Sequence, residues 1–214
     1  MKKKAVAVVM TAVMALGMVS AVSVQAGIED KTLIVGFDAE YPPYGYMDEN
    51  GEYTGFDLEL AQAVCDLEGW ELEKKPINWD SKDMELNSGS IDCIWNGFTM
   101  NGREDDYTFS EPYVDNSQVI VVADDSGIEK LTDLAGKTVG VQAASAALDL
   151  LQSEEEGGQK ELADTFGALN EFADYNTAFT ELQAGALDAL AIDVGVAKYQ
   201  LFAEIGRASC RERE

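Results

Sequence analysis

The feature that most limits the possible folds is a repeated alternation of short apolar runs with amphipathic segments. Residues 31–36 form an apolar, β-branched run that glycine ends, which is typical of a buried strand. Between residues 55 and 67 the apolar side chains recur at helical spacing. Residues 71–77 then predict a strand, residues 80–88 a short helix and residues 91–95 a third strand. This order is typical of a mostly parallel sheet covered by helices.

The same alternation starts again after an extended stretch at residues 118–123. The elements predicted there are a helical turn at 131–137, strands at 138–141, 168–172 and 187–192, and helices at 144–152, 177–184 and 194–203. We therefore predict an α/β protein of two lobes, with residues 27–119 in the first and residues 120–204 in the second.

The composition excludes several classes of function. The chain has 40 acidic residues against 15 lysines and arginines, a net charge of -25. Nucleic acids and acidic membrane surfaces are bound by clustered basic residues, so neither is an expected partner. Histidine is absent from the sequence, which removes the commonest general base, the triads that need it and histidine-based zinc sites. We predict no cofactor and no metal.

The first 26 residues predict a signal peptide. Three lysines precede an apolar run at residues 5–18, and small residues follow it up to Ala26. An uncleaved membrane anchor is the alternative, but the run is short for a spanning helix. No cysteine lies near the cleavage site, so a lipid anchor is not predicted. We expect an exported protein, in the periplasm or on the extracellular side of the cell surface.

Residues 205–214 differ in composition from everything before them. Three of the four arginines lie there, and residues 205–213 can be encoded by a string that resembles a sequencing-library adapter. We predict a non-native tail, with a genuine basic tail as the alternative. Without it, Arg103 is the only arginine of residues 27–204, beside 38 of the 40 acidic residues, since Glu212 and Glu214 lie in the tail.

Polar and aromatic residues follow the predicted strands, where ligands bind in open α/β sheets. Arg103 can bind a carboxylate through a bidentate fork, and N–H groups around Ser145, at a predicted helix start, can share that anion. Asp193 could bind an ammonium group, helped by the Thr99 hydroxyl and the Gly97 carbonyl. The candidate site residues are Asp38, Tyr41, Tyr44, Trp79, Asn96, Gly97, Phe98, Thr99, Arg103, Ser145, Ala146 and Asp193.

Several of these residues also have a plain structural interpretation. Arg103 could form a surface salt bridge, and Asp193 could cap the helix that follows it. Tyr41 and Tyr44 could be ordinary loop packing.

Two further pairs of residues are also expected to have structural roles. At least one of Trp95 and Phe98 is expected in the core rather than in the pocket. Cys65 and Cys93 lie in periodic apolar patterns, so free buried thiols are favoured over a disulfide.

Several short segments match a known pattern in order and spacing. They read FDAEYPPY at 37–44, GFDLELA at 55–61, GSID at 89–92, FTMNGR at 98–103, FSEPY at 109–113, LAGKTVGVQ at 134–142 and GALDA at 185–189. Together they resemble the family-3 solute-binding proteins, the amino-acid receptors of ABC importers. The resemblance implies the periplasmic-binding-protein type II fold, in which two lobes, each with a mostly parallel sheet covered by helices, enclose a ligand cleft.

The resemblance also implies roles by position. Arg103 and the Ser145 region would hold the ligand carboxylate, and Asp193, Thr99 and the Gly97 carbonyl would hold its ammonium. The side-chain pocket would be lined by Asp38, Tyr41, Tyr44, Trp79 and Asn96.

This sequence departs from the family pattern in three respects. The segment from Thr99 to Arg103 is one residue shorter than in many members. Ala146 follows Ser145 where many members have a second hydroxyl residue, so one side-chain bond is lost. The second lobe is expected to be incomplete, because the final strands and helices that return to the first lobe are missing.

These observations predict a non-enzymatic, monomeric extracytoplasmic receptor that delivers a free amino acid to ABC permease subunits. A ligand-sensing domain of a signalling receptor is one alternative, and it would need an anchor or a fused module. A dehydratase on the same fold is another, and it would need an acid or base in the cleft, for which Glu40 is the spare candidate.

Overall fold

A computed structural model describes residues 31–203 and 208–211 of the chain. The predicted signal peptide, residues 1–26, lies outside the described residues, as does most of the predicted tail. Within the described ranges, every helix is too short or too polar to cross a membrane.

The first lobe is built on a parallel sheet of three strands with β1 in the centre. The elements are β1 (Thr32–Phe37), β2 (Glu40–Tyr41), β3 (Gly45–Met47), β4 (Tyr53–Thr54), α1 (Phe56–Glu68), β5 (Glu71–Pro76), a 3-10 turn (Trp79–Ser81), α2 (Lys82–Asn87) and β6 (Cys93–Ile94). The sheet order is β5-β1-β6, and β2, β3 and β4 form a small antiparallel sheet beside it.

The core of this lobe follows from the two periodicities. Alternate residues of β1 are buried, and they pack on the helical face of α1 in a cluster of Leu33, Val35, Phe37, Leu58, Ala61 and Cys65. Gly69 ends α1 in the left-handed conformation, with φ 68°, which suits glycine. Cys65 and Cys93 are both free thiols, as predicted; Cys65 is buried as expected, whereas Cys93 is only half-buried.

The second lobe is built on a five-stranded mixed sheet with the order β11-β7-β10-β8-β9. Its elements are β7 (Gln118–Ala123), a 3-10 turn (Leu131–Leu134), β8 (Thr138–Gln142), α3 (Ala146–Gln152), α4 (Lys160–Ala163), β9 (Ala168–Phe172), α5 (Tyr175–Gln183), β10 (Ala189–Asp193), α6 (Val194–Ala203) and β11 (Ala208–Arg211). β8 is parallel to β9 and β10, whereas β7 is antiparallel to β10.

The second-lobe sheet extends beyond the predicted bounds of that lobe, residues 120–204, at both ends. β7 pairs with β10 from Gln118 to Val122, so the chain has entered the second lobe by Gln118. β11 pairs antiparallel with β7, so four residues of the predicted tail extend this sheet through their backbone. The non-native origin of the tail stays a prediction.

The elements that sequence periodicity did not predict are all short. β2, β3, β4 and α4 span two to four residues each, which is too short to show a periodicity. The predicted strand at 91–95 is only two residues long, because β6 ends at Ile94 and the chain then turns into the loop that carries Asn96 and Gly97.

The two lobes meet through an apolar cluster. Tyr41 and Tyr44 of the first lobe belong to the same buried cluster as Ile192 and Val196 of the second. At the rim, the rings of Tyr46 and Tyr199 lie 5.6 Å apart between centroids. The carboxyl ends of both sheets therefore face each other across one cleft.

Candidate ligand-binding site

The cleft between the lobes brings together most of the predicted site. It is lined by Tyr41, Trp79, Asn96, Gly97, Phe98, Thr99, Arg103, Gln142, Ser145, Ala146 and Asp193. Ten of the twelve predicted residues are in this set. The other two, Asp38 and Tyr44, are buried and contact lining residues. The cleft encloses about 20 Å³, comparable to one water molecule, so the lobes are closed on each other.

A larger, mainly apolar cavity of about 240 Å³ lies in the second lobe, beside the 3-10 turn Leu131–Leu134. None of the predicted site residues lines it. The smaller cleft is the stronger candidate because it combines buried charges of both signs with aromatic rings, which fix a ligand's orientation.

Arg103 holds the positive end of the cleft. It is 9% exposed, and its guanidinium donates to the carbonyl oxygens of Thr99 (3.2 Å) and Ala144 (3.4 Å). It also donates to Asp149 Oδ2 at 2.6 Å, and it lies 4.8 Å from the centre of the Phe98 ring. Arg103 thus forms a salt bridge but is not a surface residue: it is buried, lines the cleft and connects the two lobes.

Asp193 holds the negative end, directly after β10. Its Oδ1 accepts from Asn116 Nδ2 at 2.5 Å and from Gln118 Nε2 at 2.6 Å, and Tyr175 donates to Oδ2 at 3.4 Å. Asp193 also raises the pKa of the Tyr41 hydroxyl, after burial as the first cause. The carboxylate is 4% exposed and immediately precedes α6, so it combines the capping position with a place on the cleft wall.

Asp38 is a second buried carboxylate, and it joins the lobes behind the lining. Gln142 Nε2 donates to its Oδ2 at 2.6 Å, and the Glu40 N–H donates to its Oδ1 at 2.8 Å. The Asp38 N–H in turn donates to Asn96 Oδ1 at 3.1 Å. Burial raises the pKa of Asp38 to about 6. Gln142 was missing from the predicted site residues, although its place at the end of β8 was the signal that could have found it.

The Gly97 loop is supported from behind by Asp57 and Tyr113. The Tyr113 hydroxyl donates to Asp57 Oδ1 at 2.9 Å and accepts from the Gly97 N–H at 3.3 Å. Gly97 has φ 57°, in the left-handed region that favours glycine. Burial raises the pKa of Asp57 to about 6. This support fixes the direction of the Gly97 peptide at the cleft.

The aromatic wall consists of Trp79 and Phe98, whose rings meet edge to face at 5.4 Å. Phe98 lines the cleft, whereas Trp95 is half-buried and packs against the core of the first lobe, as expected for one of that pair. Tyr41 stacks on Tyr44 at 5.3 Å, so Tyr41 both packs and lines the cleft, whereas Tyr44 is buried against it.

Ser145 and Ala146 mark the start of α3 on the opposite wall. Ser145 is the N-cap, and its hydroxyl oxygen accepts from the Leu148 N–H at 3.2 Å. Ala144, just before it, has φ 53°, which is uncommon for a residue other than glycine.

Among the described residues, no group of three or more acidic or cysteine side chains is placed to hold a metal ion.

Comparison with known proteins assigns the family. Residues 33–198 match the model of the bacterial extracellular solute-binding proteins, family 3. The chain belongs to this family.

Named relatives of this family 3 chain are amino-acid-binding proteins. It is 32% identical over 193 residues to the L-cystine-binding protein TcyJ of Escherichia coli strain K12, covering 85% of this chain and 69% of TcyJ. It is 35% identical over 170 residues to the arginine-binding extracellular protein ArtP of Bacillus subtilis, covering 78% of this chain and 63% of ArtP.

Solved structures of similar proteins show the same type II periplasmic-binding-protein fold. The substrate-binding protein of an ABC uptake transporter from Streptococcus pneumoniae, solved with bound histidine, matches with a TM-score of 0.78 at 34% identity, over 84% of this chain and 74% of that one. An ancestral arginine-binding protein bound to glutamine matches with a TM-score of 0.75 at 34% identity, over 86% and 79% of the two chains. The fold predicted from the sequence is confirmed.

Proposed function

We propose that this chain is an extracytoplasmic receptor for one free amino acid, which it delivers to the permease of an ABC importer. The observation that carries the proposal is the pair of opposite buried charges on the cleft wall, Arg103 from the first lobe and Asp193 from the second. A zwitterionic α-amino acid presents the complementary pair.

The Arg103 guanidinium is suited to the ligand carboxylate. It has five N–H donors, and only part of them is used by the Thr99 and Ala144 carbonyls and by Asp149. The Asp149 side chain is 58% exposed, so a ligand carboxylate could replace it at the guanidinium while Asp149 returns to water. N–H groups around Ser145, including that of Ala146, add donors for the same carboxylate.

The ligand ammonium would be bound by Asp193 with the Thr99 hydroxyl and the Gly97 carbonyl. All of these residues line the same cleft, and Asp193 is already oriented by Asn116 and Gln118. Burial of an ammonium group is unfavourable unless an anion pairs with it, which is the role that Asp193 can fill.

The ligand side chain would lie against Asp38, Tyr41, Tyr44, Trp79 and Asn96, and we add Gln142 because it lines the same cleft. The named relatives bind cystine and arginine, and similar solved proteins hold histidine, arginine or glutamine. A polar ligand fits these precedents and the buried carboxylate of Asp38. Glu40, the spare acid–base candidate, is exposed and accepts a hydrogen bond from Asn176 instead.

Export and delivery complete the proposal. The predicted signal peptide would place the protein in the periplasm or outside the cell, where family 3 proteins act. The cleft is formed within one chain, so a monomer suffices for ligand binding.

Isothermal titration calorimetry with the twenty amino acids and L-cystine tests the proposed function. We expect one or a few ligands with micromolar to nanomolar Kd, which corresponds to about 8–12 kcal/mol. The proposal is wrong if none of them binds.

A further inference from the structure

Lys82 is a buried cation beside the cleft, against Trp79 and Ala144, and the proposed function does not use it. It is the first residue of α2 in the first lobe and is only 5% exposed. Its ammonium group donates to the carbonyl oxygen of Ala144, in the second lobe, at 3.2 Å. Lysine is almost never this buried unless its charge is matched. Lys82 is therefore part of an inter-lobe contact rather than of the solvated face of α2.

The same carbonyl oxygen accepts a second cation. Arg103 Nη2 donates to Ala144 O at 3.4 Å, so the two positive groups are no farther apart than the sum of these two bonds. Burial lowers the pKa of Lys82; Asp83 opposes that shift and Arg103 adds to it. The ammonium lies 5.2 Å from the centre of the Trp79 ring, whose face attracts a cation and partly replaces lost hydration.

Ala144 is an unusual acceptor. It connects β8 to the N-cap of α3, and its left-handed φ of 53° is strained for an alanine. Such strain persists only where the surrounding structure fixes it. Here both donors to its carbonyl come from the opposite lobe, so the strained residue is held where the lobes meet.

We propose that Lys82 is a positioning residue for ligand binding, whose bond to the Ala144 carbonyl latches the first lobe onto the second and, with Arg103, holds the cleft closed. The identity of the ligand rests on the proposed function, but the latch itself does not. Lys82 and Ala144 lie on different lobes, so their bond can form only when the cleft is closed. The latch should therefore slow ligand release and leave the folding of each lobe unchanged.

The substitution Lys82→Met removes the charge and keeps most of the apolar stem. Stopped-flow measurements would use whichever of L-cystine, L-arginine and L-histidine the wild type binds, and small-angle X-ray scattering would be recorded with and without that amino acid. We expect ligand dissociation to be about 10- to 100-fold faster, from the usual range for a hydrogen bond to a charged group. The radius of gyration should rise towards that of an open form.

Two matched variants separate the latch from a general effect of losing a lysine. Lys75→Met removes a half-buried lysine that bonds only first-lobe groups, Glu85 and the Ser90 carbonyl, and it should release ligand at the wild-type rate. Lys82→Arg keeps the charge and should recover most of the wild-type rate.

Failure of the latch and failure of the proposed function would give different results. The latch is overturned if Lys82→Met matches Lys75→Met in both release rate and scattering. A wild type that binds no amino acid would instead remove the proposed function, and scattering of the unliganded variants would still test the latch, since Lys82→Met alone should be more open.

Discussion

The substitution Arg103→Met distinguishes two explanations for the buried arginine. If Arg103 mainly joins the lobes through Asp149, its loss should reduce the free energy of ligand binding only slightly. The Asp149 side chain is 58% exposed, and such ion pairs contribute about 0–1 kcal/mol. If Arg103 binds the ligand carboxylate, its loss leaves a desolvated anion unpaired and costs about 3–5 kcal/mol. At 1.4 kcal/mol per tenfold, affinity should fall roughly 100- to 5000-fold.

Calorimetric measurement of ligand affinity for the wild type, Arg103→Met and Asp149→Asn distinguishes these two explanations. Asp149→Asn removes the ion pair but keeps the guanidinium, and it also removes the competitor for that guanidinium. We expect unchanged affinity or a gain of up to about tenfold for Asp149→Asn, against a large loss for Arg103→Met. Equal losses in the two variants would refute the carboxylate-binding role and support a purely structural ion pair.

Three other predictions follow from single positions. Gly195→Ala should weaken binding more than tenfold, because the added Cβ would lie 2.2 Å from the Tyr44 hydroxyl across the lobes, and Tyr44→Phe should partly restore it in calorimetry. Burial raises the pKa of Asp57 to about 6 from an ordinary 3.8, so its contribution to the free energy of unfolding is fully present below about pH 4 and is lost as the pH rises through about 6. In chemical denaturation at a series of pH values, Asp57→Asn should remove up to about 3 kcal/mol of this pH dependence. An unchanged pH profile would contradict the prediction. Cys65 and Cys93 should react with a thiol reagent only in denaturant, as mapped by mass spectrometry, since burial raises the pKa of Cys93 to about 11; rapid labelling of the native protein would count against this.

Much of the fold was predictable because its long elements carry strong periodicity. The strand at 168–172 and the helix at 194–203 have the predicted bounds, and most other long elements shifted by one or two residues. The residues that line the cleft were predictable to a similar degree, because parallel strands bring their carboxyl ends to one edge. That rule, with the family resemblance, placed ten residues on the cleft wall.

The missed contacts depend on how the lobes close. Lys82 and Asp149 look like solvated helix residues in the sequence, since nothing local shows that a carbonyl or an arginine of the other lobe will approach them. Gln142 bonds a carboxylate 104 positions away, at Asp38. Pairings at such sequence separation leave no periodic trace, so only the three-dimensional structure supplies them.

The shared apolar cluster around Tyr41 and Tyr44 has a calorimetric consequence. The two rings belong to a buried cluster whose other members lie in the second lobe, so lobe closure should cover apolar surface in the way that folding buries a core. Burial of apolar surface on binding lowers the heat capacity. The enthalpy of ligand binding should therefore become more favourable as the temperature rises, by an amount set partly by these tyrosines and not by the ligand alone.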